Sequence, residues 1–515
     1  MIIFLLSFFW FIRTEKAILF WIYLWQIKEY HIRRFLAHFR TEKGEKIFIN
    51  KLFILKVILL LCFTILNPFY LTYFLLALYF VEAIKAFKDF LSKKLKKPIY
   101  TKKTILLVFT GIITQIIVLM TGGIVWLLIF DIFVPLIVFV IIFLFQPIAI
   151  LRRNMIIRKA REKRNRIKDL VVIGITGSYG KTSTKDFLYT LLSEKYNVLK
   201  TEKNQNSEFG ISQCVLNRLK PEHQFFVCEM GAYTKGGIKL LCDIVKPKIG
   251  ILTGINQQHM ATFGSQENII NTKFELIEFL PEDGVGIFNK DNHIVDENAK
   301  KMKVKSKIFC STKEKTDIWA EEIIVKKDSL SFKVFSEDND FAQFNLPLLG
   351  RQNIENLLMA IAAAKKLGLN LKEMAAGKIN SSYNGMKLRK GEFNIIDTTY
   401  SANPNGVISH LEYLNTWSGK KAIVMPCLIE LGKEAKKIHF QIGKEIGRTC
   451  NLAVITTKEY FEEIKKGAEK EGMNNVIFQE NPKKVFNLLE SFSNPEDIIL
   501  LEGRIPKSII KFLIK

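Results

Sequence analysis

The chain is short of acidic residues and has no cysteine pattern. Its 515 residues carry 50 Asp and Glu against 75 Lys and Arg, a formal charge of +25. The seven cysteines (Cys62, Cys214, Cys228, Cys242, Cys310, Cys427 and Cys450) are scattered, odd in number and without CxxC spacing. That argues against a disulfide framework or a cysteine zinc site and fits a reducing compartment. Internal repeats and low-complexity tracts are missing too, which excludes solenoid arrays. No basic stretch precedes the first apolar run and no A-x-A-like site follows it, so a cleavable signal peptide is not expected.

What is present is uneven. Length alone allows roughly three domains, and the apolar residues pile up before about residue 150 while the charges lie mostly after it. Residues 2–12 and 17–27 are apolar runs separated by Arg13-Thr-Glu-Lys16. Each is shorter than the roughly 20 residues needed to cross a bilayer. Together they read as one span with a costly charged middle, or as a helix lying in the interface. Residues 52–86, broken at Asn67-Pro68, and 104–150, broken near Thr121-Gly-Gly123, read as two apolar helical hairpins packed side by side. Residues 85–103 carry eight Lys with one Asp, and 152–168 carry nine Lys or Arg with one Glu. The 28–51 loop is also basic. These flanks place the loops, and the soluble part that follows, on the cytoplasmic face. Residues 152–168 are expected to continue as a basic helix along anionic head groups. Topology thus accounts for the excess charge, and no nucleic-acid partner is expected.

The clearest chemistry is in Val171-Val-Ile-Gly-Ile-Thr-Gly-Ser-Tyr-Gly-Lys-Thr-Ser-Thr184. An apolar strand runs into a turn with Gly177 and Gly180, and a helix follows, predicted over 184–193. Such a turn cradles phosphates on backbone N–H groups, with Lys181 on the β- and γ-oxygens and the Thr182 hydroxyl on Mg²⁺. Position 175 is Ile rather than the Gly of the strict pattern, so the loop is a variant.

Downstream the α/β rhythm continues. Residues 225–231 read as a buried strand ending in Glu229, and an acid at the end of a parallel strand beside a phosphate loop is a Mg²⁺ candidate. Residues 249–253 and 285–288 are further strands, and Ser265 caps a helix over 266–280 that carries Lys273. Alone, His259 reads as a loop or core histidine and Lys273 as a solvated face. After about residue 384, short apolar strands at 393–397, 421–425, 452–456, 475–478 and 498–501 alternate with polar helices, a second doubly wound, Rossmann-like unit. Arg504 follows the last strand at the edge where ligands sit in such sheets, a position equally served by a surface ion pair.

In order along the chain stand Thr176-Gly-Ser-Tyr-Gly-Lys-Thr182, Asn204-Gln-Asn-Ser-Glu-Phe-Gly210, Glu229-Met-Gly231, His259 with Phe263-Gly-Ser265, Lys273, and Asn289-Lys-Asp291. Leu349-Gly-Arg-Gln-Asn-Ile-Glu-Asn356, Asp397-Thr-Thr-Tyr-Ser-Ala-Asn-Pro404, Glu430-Leu-Gly432 and His439 follow. This ordered set over about residues 170–515 resembles the Mur ligase family, most of all its D-alanyl-D-alanine-adding (MurF-type) branch.

The resemblance implies an ATP-dependent amide ligase that phosphorylates a carboxylate acceptor and lets an amino-acid or dipeptide amine attack the acyl phosphate. It implies that Gly177, Ser178, Gly180, Lys181, Thr182, Ser183, Asn289, Asn353 and Asn356 bind ATP. Thr182, Glu229, His259 and Lys273, the last as a carbamate, would hold two Mg²⁺ ions. Lys181, Lys273 and His259 would be the catalytic set. Asn204, Asn206, Ser207 and Asn403 would face substrate. The implied architecture is an α-helical membrane domain (1–151), a basic linker (152–169), a P-loop-type central domain (170–383) and a C-terminal α/β domain (384–515). About four or five membrane segments are expected, placing the protein in a bacterial-type inner membrane as a multi-pass chain with its catalytic domains in the cytoplasm.

The chain also departs from the family. Thr398 replaces the second Asp of a paired acid, Lys387 or Arg389 stands in for the arginine of the last domain, and Pro426-Cys-Leu428 replaces Gly-Asp-Met. A membrane domain stands where the soluble cell-wall ligases hold the UDP-sugar, which points to a lipid-linked acceptor and a bilayer as partner. A capsule-type polyglutamate ligase and an ATP-binding scaffold for cell-wall enzymes are the competing readings.

Overall fold

In a computed structural model the chain separates into two compact units, Met1–Asn154 and Met155–Lys515. The structure describes all residues except 29, 31, 33–34, 37–38, 40–43, 45–46, 48–50, 64–67, 203–204, 259, 378, 380–384, 400–401 and 514–515.

The apolar runs of the first unit fold into helices α1 (Ile2–Ile27), α2 (Lys51–Cys62), α3 (Pro68–Leu91), α4 (Lys102–Thr121) and α5 (Ile124–Asn165). Residues 2–27, which the sequence leaves open to two arrangements, form one unbroken helix. Its charged middle is satisfied by neighbours. Arg13 Nε donates to Glu82 Oε1 (2.7 Å) and Lys16 Nζ to Asp89 Oδ2 (2.6 Å). Lys56 Nζ lies 2.6 Å from both Glu82 Oε2 and Asp131 Oδ2, and Arg13 reaches Asp131 at 3.6 Å. α1, α2, α3 and α5 thus each contribute one charge to a neutral buried quartet, beside Trp10, whose Nε1 donates to the Leu127 carbonyl (2.7 Å). Outside it, Phe69, Phe87, Phe90, Phe143 and Leu144 expose large apolar surface.

Among the described residues three helices are long and apolar enough to cross a membrane: Phe69–Leu91, Lys102–Thr121 and Ile124–Asn165. The sequence leads to an expected count of about four or five segments, of which these three meet the length and hydropathy requirement. α1 has Arg13, Glu15 and Lys16 at its centre, and the 12 residues of α2 span only about 18 Å against a hydrocarbon core of about 30 Å. The basic stretch after Ile150 is helical to Asn165, as its sequence predicts. Much of the basic 28–51 loop lies outside the described residues.

The second unit holds two sheets. The larger has β1 (Val171–Thr176), β2 (Val198–Lys200), β3 (Phe225–Glu229), β4 (Ile249–Leu252), β5 (Val285–Asn289), β6 (Ser306–Ser311), β7 (Ile318–Val325), β8 (Leu330–Ser336) and β9 (Phe341–Leu346). Their order is β2-β3-β1-β4-β5-β6-β7-β8-β9. β1 lies between β3 and β4, parallel to both, with Ile175 opposite Glu229 and Ile251. Continuous apolar strands of this kind are buried on both faces, and β3 and β4 are buried throughout. Beyond β7 the sheet turns antiparallel, an extension not expected from the sequence. The turn between β7 and β8 reaches the smaller sheet: Lys327 Nζ pairs with Glu496 (2.7 Å) and lies 4.5 Å from the Trp417 ring, and its carbonyl accepts from Tyr413 Oη (2.5 Å).

The smaller sheet has β10 (Lys387–Arg389), β11 (Ile395–Thr398), β12 (Lys421–Met425), β13 (Leu452–Ile455), β14 (Val476–Phe478) and β15 (Ile498–Glu502), ordered β10-β11-β15-β12-β13-β14. All pairs are parallel except β10 with β11. This is the doubly wound α/β unit expected from the sequence.

Candidate active site

The loop after β1 opens between β3 and β4, and its two glycines are sterically required. Gly177 has φ +152° and Gly180 φ +79°. A Cβ on Gly177 would overlap the Thr253 hydroxyl, and one on Gly180 would overlap Asn356 Oδ1. Gly180 caps α6 (Lys181–Ser193) without a side chain, three residues earlier than the sequence predicts, so Lys181, Thr182 and Ser183 form the first turn. Their N–H groups face the loop's concave side, where a helix N-terminus favours an anion. Ser178 is buried, its N–H donating to the Gly254 carbonyl (2.6 Å). Lys181 Nζ folds back on the Gly177 and Ser178 carbonyls (2.8 and 3.2 Å), and burial lowers its pKa, partly offset by Glu229.

Glu229 ends β3 beside this turn. Its Oε2 accepts from Thr182 Oγ1 (2.9 Å) and its Oε1 from Asn206 Nδ2 (3.0 Å). Burial pushes its carboxyl up, but Lys185 and Lys181 together with those hydrogen bonds outweigh it, so it lies below the usual range. Asn206 also accepts from the Gly231 N–H through its carbonyl (2.7 Å), and Ser207 caps α7 (Glu208–Arg218), accepting from Gly210 N (3.3 Å).

Lys273 lies on α8 (Gln266–Glu278), whose N-cap is Ser265 as predicted. It is not a solvated lysine: the residue is 3% exposed, with its Nζ 5.9 Å from the Phe263 ring. Burial, and next the charge of Lys181, lowers its pKa to about 7. His259 and Asn204, which the resemblance assigns to metal and substrate, lie outside the described residues.

On the other flank, Asn289 Nδ2 donates to Glu355 Oε2 (3.0 Å) and its Oδ1 accepts from Asp291 N (3.0 Å). Glu355, Asn353 and Asn356 share α9 (Gln352–Lys366). Asn353 donates to the Leu349 carbonyl (2.7 Å), whereas Asn356 packs on Gly180. Asn289 and Asn356 thus come to the loop's flank while Asn353 braces the start of its helix. Burial raises the Glu355 carboxyl.

Asn403 caps α10 (Pro404–Leu414), and its Oδ1 accepts from Asn256 Nδ2 (3.3 Å). Asn256 also donates to Asn405 Oδ1 (2.8 Å), and its N–H donates to Ser178 Oγ (3.2 Å). The two α/β domains therefore meet one residue removed from the phosphate loop. Arg389 pairs with Asp397 (2.9 Å), not with the loop. His439 lies in α11 (Ala435–Thr449), and its Nε2 accepts from Leu428 N (2.8 Å) while Nδ1 faces the Ala435 carbonyl (2.6 Å). It is a buried, neutral brace for the segment 426–428.

Sequence reasoning missed Lys185, Glu355 and Asn256. Lys185 follows the loop by four residues, one helical turn, which was the available signal; Asn256 and Glu355 carried none by spacing.

Comparison with known proteins gives the family of the two α/β domains. The Mur ligase middle domain matches residues 175–364, and the Mur ligase, glutamate ligase domain matches 386–505. The UDP-N-acetylmuramoyl-tripeptide--D-alanyl-D-alanine ligase of Bacillus subtilis is 30% identical over 355 residues, 67% of this chain and 76% of that protein. The same-named ligase of Escherichia coli is 30% identical over 53% of this chain and 61% of its own length. Among solved structures, MurF from Acinetobacter baumannii aligns with a TM-score of 0.63 at 25% identity, covering 70% of this chain and 79% of that one. MurF from Thermotoga maritima in complex with ADP gives 0.61 at 25%, covering 70% and 82%. The chain belongs to the Mur ligase family, whose members are ATP-dependent, ADP-forming peptide ligases.

Proposed function

We propose that this protein is a MurF-like ligase that joins a dipeptide of the D-alanyl-D-alanine type to the peptide carboxylate of a peptidoglycan precursor. One arrangement carries the reading: the Thr182 hydroxyl and Glu229 carboxylate paired at the mouth of a glycine-hinged loop whose lysine folds over it. Both are hard oxygen donors of the kind Mg²⁺ takes. Among the described residues no cluster of three His, Cys, Asp or Glu side chains is preformed for a metal. That suits Mg²⁺, which is commonly held by one or two protein oxygens plus phosphates and water.

Lys181 opposes the charge that develops on the transferred phosphoryl group, and the first-turn N–H groups hold the remaining phosphate oxygens. The acceptor carboxylate takes the γ-phosphoryl. ADP is released as the bond from its terminal oxygen to the γ-phosphorus breaks; the amine nitrogen then attacks the acyl carbon, the C–N bond forms as the nitrogen gives up a proton to solvent, and the C–O bond breaks to release phosphate. Thr182 and Glu229 would hold Mg²⁺, which would supply neutralisation of phosphate charge. Lys273, grouped with His259 by the family resemblance, would serve a second cation site only as a carbamate; its lowered pKa leaves a share of neutral amine able to take up CO2. Asn206 and Ser207 face the acceptor, Asn204 is assigned to it by the family resemblance, and Asn403 lies on the amine side.

The membrane reading belongs to the same proposal. Apolar helices flanked by basic loops anchor the chain as a multi-pass protein in the inner (plasma) membrane, its α/β domains in the cytoplasm, and the acceptor is lipid-linked. The test is product mass spectrometry with detergent-solubilised protein, ATP, Mg²⁺, radiolabelled D-alanyl-D-alanine or glutamate, and lipid-linked or soluble UDP-linked acceptors. Dipeptide transfer to the lipid-linked acceptor, lost in Lys181→Ala, supports the proposal. Glutamate transfer indicates a polyglutamate ligase, acceptor-independent phosphate release a scaffold, and preference for the soluble acceptor refutes the lipid-linked part.

A further inference from the structure

Lys185 lies one turn beyond Lys181 on α6 and faces inward, with only 1% of its surface exposed. A buried ammonium is costly unless paired. Its Nζ lies 3.3 Å from Glu229 Oε2 and 3.9 Å from Asp186 Oδ1. Asp186 Oδ1 is in turn 2.8 Å from Lys200 Nζ, and all four side chains are buried. The contested atom is Glu229 Oε2, because the same oxygen accepts from Thr182 Oγ1. A divalent cation shared by Thr182 and Glu229 would use that oxygen, and at such range it and an ammonium repel strongly in a water-poor site. The lysine stem is flexible, and a second carboxylate already lies 3.9 Å from its Nζ.

We propose that Lys185 is a tethered counter-ion for Glu229. In the cation-free protein it pairs with the carboxylate and keeps it aimed at Thr182. When a divalent cation binds, Lys185 yields Oε2 and moves toward Asp186. Lys185 is therefore a positioning residue that sets how tightly the site takes its cation. This rests on the reading of Thr182 and Glu229 as that site.

The test uses the full-length protein in detergent with ADP, Mn²⁺ as the probe, and electron paramagnetic resonance to count free Mn²⁺. Lys185→Met is expected to bind Mn²⁺ roughly tenfold tighter than wild type, and Lys185→Arg, which keeps the charge, to stay close to wild type. Without Mn²⁺, Lys185→Met melts below wild type, and added Mn²⁺ raises its melting temperature more than it raises that of wild type. A merely structural lysine would lower melting equally with and without the ion. Unchanged or weaker Mn²⁺ binding in Lys185→Met, or in Lys185→Gln should the Met variant not fold, overturns the inference. Mn²⁺ binding that survives in Glu229→Gln instead overturns the underlying site.

Discussion

Asn256 and Asn405, 149 positions apart in sequence, are joined by a hydrogen bond of 2.8 Å from Nδ2 to Oδ1. The backbone N–H of Asn256 simultaneously holds Ser178 of the phosphate loop. The bond thus ties the placement of the C-terminal domain to the loop proposed to bind ATP. Asn256→Ala removes the bonds to both Asn403 and Asn405 and is expected to reduce kcat/KM roughly thirtyfold, at about 1 kcal/mol for each hydrogen bond. Unfolding temperature should barely move. A large fall in stability with unchanged kinetics would contradict the assignment.

Gly180→Ala tests the loop itself. At φ +79° a side chain costs about 1–2 kcal/mol, and here its Cβ also meets Asn356. ATP binding by isothermal titration should weaken strongly, while far-UV circular dichroism stays native. Intact ATP affinity would place the nucleotide elsewhere.

His439 gives a pH dependence. Burial lowers its pKa below the ordinary 6.5, and Leu428 N donates to its Nε2, which requires the neutral ring. Below pH 6.5 the unfolded chain takes up a proton that the folded one refuses, so stability falls as pH drops from 6.5 toward the lower folded value. His439→Gln should flatten the melting temperature over that window. A variant with the wild-type slope would count against this role.

In the helical unit, Asp131→Ala leaves Lys56 and Arg13 sharing Glu82 alone. An uncompensated buried charge costs about 3–5 kcal/mol. Thermal unfolding in detergent should show a large loss. The double replacement Lys56→Met with Asp131→Leu, which keeps the Arg13–Glu82 pair, should lose much less.

Chemistry that lies in contiguous stretches is legible in the amino-acid order itself: the loop from Gly177 to Ser183, Glu229 at a strand end, and Ser265 capping the helix of Lys273. So is the alternation of the C-terminal strands. Whatever depends on distant partners is not. Lys273 and a solvated lysine have the same helical spacing, and only burial separates them. Arg13 and Lys16 of α1 look costly in sequence because Glu82 and Asp131, which pair with Arg13, and Asp89, which pairs with Lys16, lie in other helices. β8 is hidden although Leu330, Phe332 and Val334 alternate inward, because Lys and Ser between them read as polar loop.

The β7–β8 turn reaches the C-terminal domain through Lys327, and Asn256 reaches it from the loop after β4. The central domain thus grips the C-terminal domain from two separate parts of its own fold, and the strand extension beyond β6 acts as a strut between them.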